Sequence, residues 1–84
     1  MKLFGHDITI EYVDDLGMFG QALMDRGLIR ISNNISESQK ESTLLHEVIE
    51  LVNRHLGLEL SEAQIRGVEV GLFEWLSQKG EQDE

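Results

Sequence analysis

The sequence has 84 residues, and we expect them to form one small domain. It contains no cysteine, which excludes disulfide bonds and cysteine-type zinc sites. Its 16 Asp and Glu outnumber its 7 Lys and Arg, and a net charge of −9 argues against nucleic-acid binding, because phosphate groups attract clustered basic side chains. The sequence has neither the pattern of a membrane span nor that of a signal peptide, so we expect a cytoplasmic protein that does not bind membranes.

The N-terminal half alternates between apolar and polar residues, which is the period of a half-buried strand. In the segment DITIEYV, which begins at Asp7, the apolar residues of one face are Ile8, Ile10 and Tyr12. Residues 21–32 are typical of a hairpin, with a turn at Asp25-Arg26-Gly27 and a second strand over 28–31. The sequence therefore predicts a short antiparallel sheet of about three strands.

Two helices are predicted in the C-terminal half, each with a start and a stop signal. Ser36-x-x-Gln39 and Ser61-x-x-Gln64 have the spacing of a capping box. Gly57 is expected to end the first helix and Gly80 the second, because glycine adopts the left-handed conformation that commonly follows the last helical turn.

These elements predict an α+β domain over residues 1–80, in which the N-terminal sheet packs on the two C-terminal helices. Residues 81–84 (EQDE) are predicted to form a disordered acidic tail. Gly67 and Gly71 lie inside the second helix, where each costs about 1 kcal/mol relative to alanine. They either permit a close backbone approach or mark a weakly optimised helix. Phe73 and Trp75 recur at helical spacing and are expected in the core.

The first helix contains the segment LLHEVIEL, residues 44–51, which has a polar side. Because a helix turns 100° per residue, His46, Glu50 and Asn53 fall within about 60° of one another. Glu47 lies beside this stripe, and a separate arc of the helix is apolar. Taken alone, the pattern is that of an amphipathic helix with a polar face.

In the second helix, Glu69 falls inside the apolar stripe, about 40° from Ile65. A buried carboxylate must be neutralised, paired or bound to a cation, because an unpaired buried charge is strongly destabilising. The linker between the helices is short, so His46, Glu50 and Glu69 are expected to converge. In the alternative interpretation, Glu69 reaches water or pairs with Arg66 or with His46.

Residues 28–76 resemble a minimal zincin of the gluzincin type, similar to the small metallopeptidase-like proteins of phages and prophages and, in plan, to the ImmA/IrrE family. The shared pattern begins with a strand ending in IRIS (29–32), followed by a helix that reads STLLHEVIE (42–50). A second helix then supplies a glutamate, Glu69.

This resemblance implies a zincin-like fold, a bound Zn²⁺ and a set of residue roles. His46 would be the first metal ligand and Glu69 the third, while Glu47 would be the general base that activates a metal-bound water. The strand near 28–31 would line the cleft and could pair with an extended peptide. A peptide or protein substrate or partner is therefore expected, and a homodimer could complete so small a site.

Glu50 stands where the family has its second histidine, so the motif is HExxE rather than HExxH. Glutamate can bind Zn²⁺ through oxygen, which makes Glu50 the candidate second ligand, and the harder donor set also admits Mn²⁺ or Fe²⁺. Two carboxylates would neutralise the charge of the ion and weaken its activation of water.

Three functions fit these features. The first is a metal-dependent hydrolase, a minimal peptidase. The second is a catalytically weak or inactive zincin-like phage or prophage protein with a structural metal or a binding role. The third is a metal-free interaction domain in which His46 and Glu69 form only a buried polar pair.

Overall fold

The computed structural model describes residues 1–82 of the chain, and in this part five strands precede two helices. The strands are β1 (Lys2–Leu3), β2 (His6–Asp7), β3 (Thr9–Val13), β4 (Gly20–Leu23) and β5 (Leu28–Ser32). The helices are α1 (Glu37–Leu56) and α2 (Glu62–Gln82). The predicted α+β class, with the strands in the N-terminal half and two C-terminal helices, is confirmed.

The predicted hairpin is present. β4 pairs antiparallel with β5, with Leu23 opposite Leu28. A 3₁₀ turn over Met24–Arg26 connects the strands, and Gly27 follows it with a φ of 58°. Glycine suits this position because it has no Cβ to clash in the left-handed region.

The main sheet is mixed rather than fully antiparallel, since its strand order is β3-β5-β4 and β3 pairs parallel with β5. β1 and β2 form a separate antiparallel ribbon. The segment 14–19 carries the chain from β3 past the position of β5 to the far edge, and β5 returns through the middle. The central position suits β5 because its Ile29 and Ile31 have no exposed surface. The period of a strand reveals which face is buried, but it does not reveal which strands are neighbours.

The core lies between this sheet and α1. Ile8, Ile29, Ile31 and Leu51 form one buried cluster, which joins three parts of the sequence. α1 contacts β4 and β5 on one side and α2 on the other. α1 is therefore the element that connects the sheet to the second helix.

The predicted caps of α1 are confirmed. Ser36 and Gln39 form a reciprocal capping box, and Gly57 ends the helix with a φ of 61°. At the start of α2, Ser61 and Gln64 make the same pair of bonds, because each backbone N–H donates to the other residue's side chain.

α2 continues beyond its predicted end at Gly80 and runs to Gln82. The predicted acidic tail therefore begins inside the helix, and its last two positions, 83 and 84, lie outside the described residues. No helix in the described chain is both long and apolar enough to cross a membrane.

α2 is packed along one side only. Ile65 is 2% exposed, whereas Trp75 is 54% exposed, so the prediction that Trp75 lies in the core is wrong. Phe73 is partly buried. The apolar arc of α2 is wider than the part of it that α1 covers. The periodic pattern of a helix shows which residues share a face, but not how much of that face a neighbouring element buries.

Candidate metal centre

His46 lies between two glutamates where α1 faces α2. Its Nδ1 is 2.8 Å from Oε1 of Glu69, and its Nε2 is 3.6 Å from Oε1 of Glu50. All three side chains are partly buried. The structure thus brings the three predicted ligand residues together, but it places the two carboxylates at opposite nitrogens of one imidazole.

Local geometry explains this arrangement. His46 and Glu50 are four residues apart on α1, so they lie one turn apart on the same face. Glu69 has the same relation on α2 to Ile65, whose burial fixes that side of α2 against α1. Asn53, the third member of the predicted polar stripe, accepts a hydrogen bond of 2.9 Å from the backbone N–H of Leu60. This bond fixes the chain immediately before α2.

A further carboxylate, Glu62, reaches the same region. Single ligand atoms from His46, Glu50 and Glu62 all lie within 4.8 Å of one another. Glu62 is the first residue of α2 and is exposed. Sequence reasoning missed it because an acidic residue in the first turn of a helix is already explained by the helix dipole. The available signal was its position seven residues, or two turns, before Glu69 on the same side of α2.

Arg54 connects the site to the sheet. Its Nη2 lies 3.8 Å from Oε2 of Glu50, and its Nη1 donates a hydrogen bond of 3.3 Å to the backbone oxygen of Ala22 in β4. The guanidinium therefore places one positive charge beside the carboxylates of the cluster.

Glu47, the predicted general base, is on the sheet side of α1 and only 9% exposed. Burial raises the pKa of its carboxyl group above the ordinary value, because removal of water disfavours the charged form. The nearby charge of His46 partly offsets this effect on the pKa, while Glu50 and Glu62 reinforce it. A carboxyl group whose pKa is raised toward neutrality is better suited to accept a proton.

Glu47 and His46 line a cleft of about 490 Å³ between β4, α1 and α2. Phe19 and Val70 contribute apolar surface to it, and Glu69 and Arg66 contribute charged groups. The cleft thus combines an imidazole, two carboxylates and a cation with apolar walls, which is the composition of a site for a small part of a polar ligand.

Gly20 allows β4 to approach α1 at this cleft. A Cβ at this position would lie 2.5 Å from Cγ2 of Thr43 and 3.2 Å from Cγ of Glu47. Because the first contact is shorter than carbon atoms allow and the second is tight, a larger residue at position 20 would require β4 or these side chains to shift. The strand predicted to line the cleft, residues 28–31, instead occupies the centre of the sheet, and β4 is the edge strand beside the site. The edge position follows from the placement of β5 between β3 and β4.

The other two histidines lie together at a separate cleft. The His55 ring stacks on Phe4 with centroids 4.2 Å apart, and the His6 centroid is 6.2 Å from that of His55. His55 thus does not supply the imidazole that HExxE lacks, as expected from its position on the opposite side of α1.

The donor set fits a divalent cation. An imidazole nitrogen with carboxylate oxygens is a donor set that Zn²⁺, Mn²⁺ and Fe²⁺ accept, and these donors do not select one metal. With bonds of about 2.0–2.2 Å, two ligands of one ion lie at most about 4.4 Å apart. The ligand atoms of His46, Glu50 and Glu62, which lie within 4.8 Å of one another, are close to that spacing. The His–Glu–Glu group could therefore hold a metal ion.

Comparison of the chain with protein-family models, curated proteins and solved structures gave no match. The case for a function thus rests on the residues themselves and on their geometry.

Proposed function

We propose that the protein is a metal-dependent hydrolase, a minimal zincin-type peptidase. The observation that supports this best is the position of Glu47, buried beside His46 and Glu50 and lining the same cleft as His46. A carboxyl group with a raised pKa next to a group of metal-ligand side chains is the arrangement that hydrolytic metal sites need.

In this proposal the ligands of the ion are His46, Glu50 and a carboxylate group of α2. Zn²⁺ is the expected metal, with Mn²⁺ or Fe²⁺ as substitutes. The bound ion would acidify a water molecule and polarise the scissile carbonyl group. Glu47 would accept the proton of the attacking water and pass it to the leaving amine.

The expected substrate is an extended peptide or an unfolded protein segment. β4 is the edge strand beside the cleft, and an edge strand offers backbone groups to a peptide that lies alongside it. Arg54 already binds the backbone oxygen of Ala22, so the pairing would involve the part of β4 nearest Gly20. The apolar side chains of Phe19 and Val70 would then contact substrate side chains.

The second candidate is a catalytically weak or inactive zincin-like protein of the phage or prophage type, with a structural metal or a binding role. Glu50 favours this alternative, since two carboxylates on one ion leave it little positive charge with which to activate water. In the third candidate no metal binds, and the contact of 2.8 Å between Nδ1 of His46 and Oε1 of Glu69 has only a structural role.

Two measurements test whether the protein binds a metal. They are elemental analysis of the untagged protein and its melting temperature with and without added Zn²⁺ or Mn²⁺. We expect one ion per chain and a higher melting temperature, because a ligand that binds only the folded state stabilises it. If neither is observed, the metal-free domain is the better description.

Hydrolysis of an unfolded protein substrate by the metal-loaded protein separates the first two candidates. We expect Glu47→Gln to abolish it while metal stays bound, because the amide cannot accept the proton. Glu74→Gln, which removes the same charge from an exposed position of α2, is the control and should retain full activity. Hydrolysis that survives Glu47→Gln would exclude Glu47 as the base, and a metal-loaded wild type without any hydrolysis would favour the second candidate.

A further inference from the structure

We propose that the metal ion binds Nε2 of His46 together with Glu50 and Glu62, and that Glu69 is not a ligand but holds the opposite ring nitrogen. This inference rests on the proposed metal site and assigns its atoms. It differs from the role that the resemblance to zincins implies for Glu69.

The first argument concerns the imidazole ring. Its two nitrogens point to opposite sides of the ring, so one ion cannot contact both. Nδ1 of His46 lies 2.8 Å from Oε1 of Glu69, which is the length of a charge-assisted N–H···O hydrogen bond. Because a carboxylate only accepts, Nδ1 is the donor, so a metal-bound ring would bind its ion through the lone pair of Nε2.

The second argument concerns the carboxylates of Glu50 and Glu62. Oε1 of Glu50 is 3.6 Å from Nε2, and one ligand atom each from His46, Glu50 and Glu62 lie within 4.8 Å of one another. Glu62 is exposed, so its side chain can rotate toward an ion without disturbing the packing of α2. Glu69, in contrast, would have to break its contact with Nδ1 in order to become a ligand.

Together these contacts give Glu69 a positioning role. A carboxylate that accepts the second N–H of a metal-bound histidine fixes the tautomer and the orientation of the ring. α2 would thus supply both a ligand, Glu62, and an orienting carboxylate, Glu69. Binding of the ion would fasten the first two turns of α2 to α1.

Long-range ¹H–¹⁵N correlation spectra of the ¹⁵N-labelled protein, recorded with Zn²⁺, test which nitrogen binds. We expect metal at Nε2 of His46 and a proton on Nδ1. Metal at Nδ1 with a proton on Nε2 would overturn the assignment and make Glu69 the ligand, while leaving the proposed metal site intact. Absence of any Zn²⁺ binding to the wild type, measured by calorimetry, would instead refute the metal site itself.

Matched variants give an independent result. Glu62→Gln should weaken Zn²⁺ binding more than about 100-fold, beyond the range of about 10- to 100-fold that is typical of outer-sphere partners. Glu69→Gln should weaken binding less than about tenfold, because the amide oxygen still accepts from Nδ1, whereas Glu69→Leu should fall in the outer-sphere range.

Glu74→Gln is the control for the loss of one negative charge and should bind as the wild type does. Circular dichroism checks that each variant is folded. The opposite ranking, in which Glu69→Gln removes Zn²⁺ binding and Glu62→Gln does not, would contradict the assignment. Equal binding by the wild type and Glu62→Gln would do the same.

Discussion

Among the single residues of the site, Glu47 combines a carboxyl group with burial on the sheet side of α1. Its ordinary pKa is 4.5, and folding raises it, chiefly because the group loses contact with water. In the folded metal-free protein at neutral pH, ionised Glu47 is therefore less stable than it is in the unfolded chain. Its neighbour His46 provides only partial electrostatic compensation, so the site is formed at the expense of stability.

We expect Glu47→Gln to raise the melting temperature of the metal-free protein at pH 7. Because the folded pKa is raised, the favourable contribution of protonated Glu47 is fully present below about pH 4.5 and is lost as the pH rises through the folded value. Glutamine does not ionise, so the variant does not lose stability in this way as the pH rises. The difference in melting temperature between the variant and the wild type should therefore be largest near neutrality and vanish in acid. Thermal unfolding from pH 4 to pH 8 measures it, and a difference that grows in acid would contradict the raised pKa.

Gly20 is the second residue whose identity the fold constrains. We expect Gly20→Ala to destabilise the protein by about 1–3 kcal/mol, the range for overpacking, because the added Cβ would meet Thr43 and Glu47. Gly67 provides a control of opposite sign. It lies in a helix interior with no atom within 4 Å of an added Cβ, so Gly67→Ala should stabilise by about 0.5–1 kcal/mol. Urea unfolding of both variants checks the contrast.

At the scale of the elements, α2 has an uneven attachment to the rest of the chain. Ile65 is buried near its start, whereas Val68 and Trp75 are exposed on the arc that α1 does not cover. The open surroundings of Gly67 and Gly71 show that neither permits a close backbone approach, so both belong to a weakly optimised helix. Among the residues of α2 whose burial is described, only Ile65 is fully buried, and it lies in the first two turns.

We expect Ile65→Ala to cost about 2–5 kcal/mol, which is typical of a fully buried isoleucine. Val68→Ala, which truncates an exposed apolar residue on the same helix, should change the free energy of unfolding by less than about 0.5 kcal/mol. Urea denaturation measures both. Similar losses for the two variants would mean that the exposed arc of α2 is covered in solution.

Local signals in the sequence predict these elements well. The capping boxes at Ser36 and Ser61 and the turn at Gly27 each depend on a few adjacent residues, and each is present. The parallel pairing of β3 with β5 and the exposure of Trp75 depend on residues distant in sequence, which periodicity cannot reveal.

The site divides in the same way. The convergence of His46, Glu50 and Glu69 follows from helical spacing and a short linker, and the structure has it. The sequence did not predict two features: which ring nitrogen Glu50 and Glu69 each approach, and the closeness of Glu62 to His46 and Glu50. Both depend on the axial position of α2 along α1, and residue spacing within one helix says nothing about that.

At the scale of the whole molecule, α1 separates the sheet from α2 and has residues of the proposed site on each side. Glu47 faces the sheet, while His46 and Glu50 face α2. With a net charge of −9 and no disulfide bonds, this small domain has few other means of holding α2 in place. A cation bound between the two helices would supply such a connection.

Hydrogen exchange of the backbone amides tests this connection. We expect Zn²⁺ to slow exchange about 10-fold or more in the first two turns of α2 and in the facing turn of α1, because binding lowers the population of locally open states. The last turns of α2 should exchange at the same rate with and without the metal. Uniform slowing along α2 would mean that the ion acts on global unfolding instead.

The parallel pair β3–β5 has a consequence for the order in which the chain folds. β3 is made before the hairpin β4–β5, yet its partner in the main sheet is the second strand of that hairpin. During synthesis, β3 therefore stays unpaired until residue 32 has emerged and the hairpin has closed. Of the three strands of the main sheet, the one that is synthesised first is thus the last to be paired.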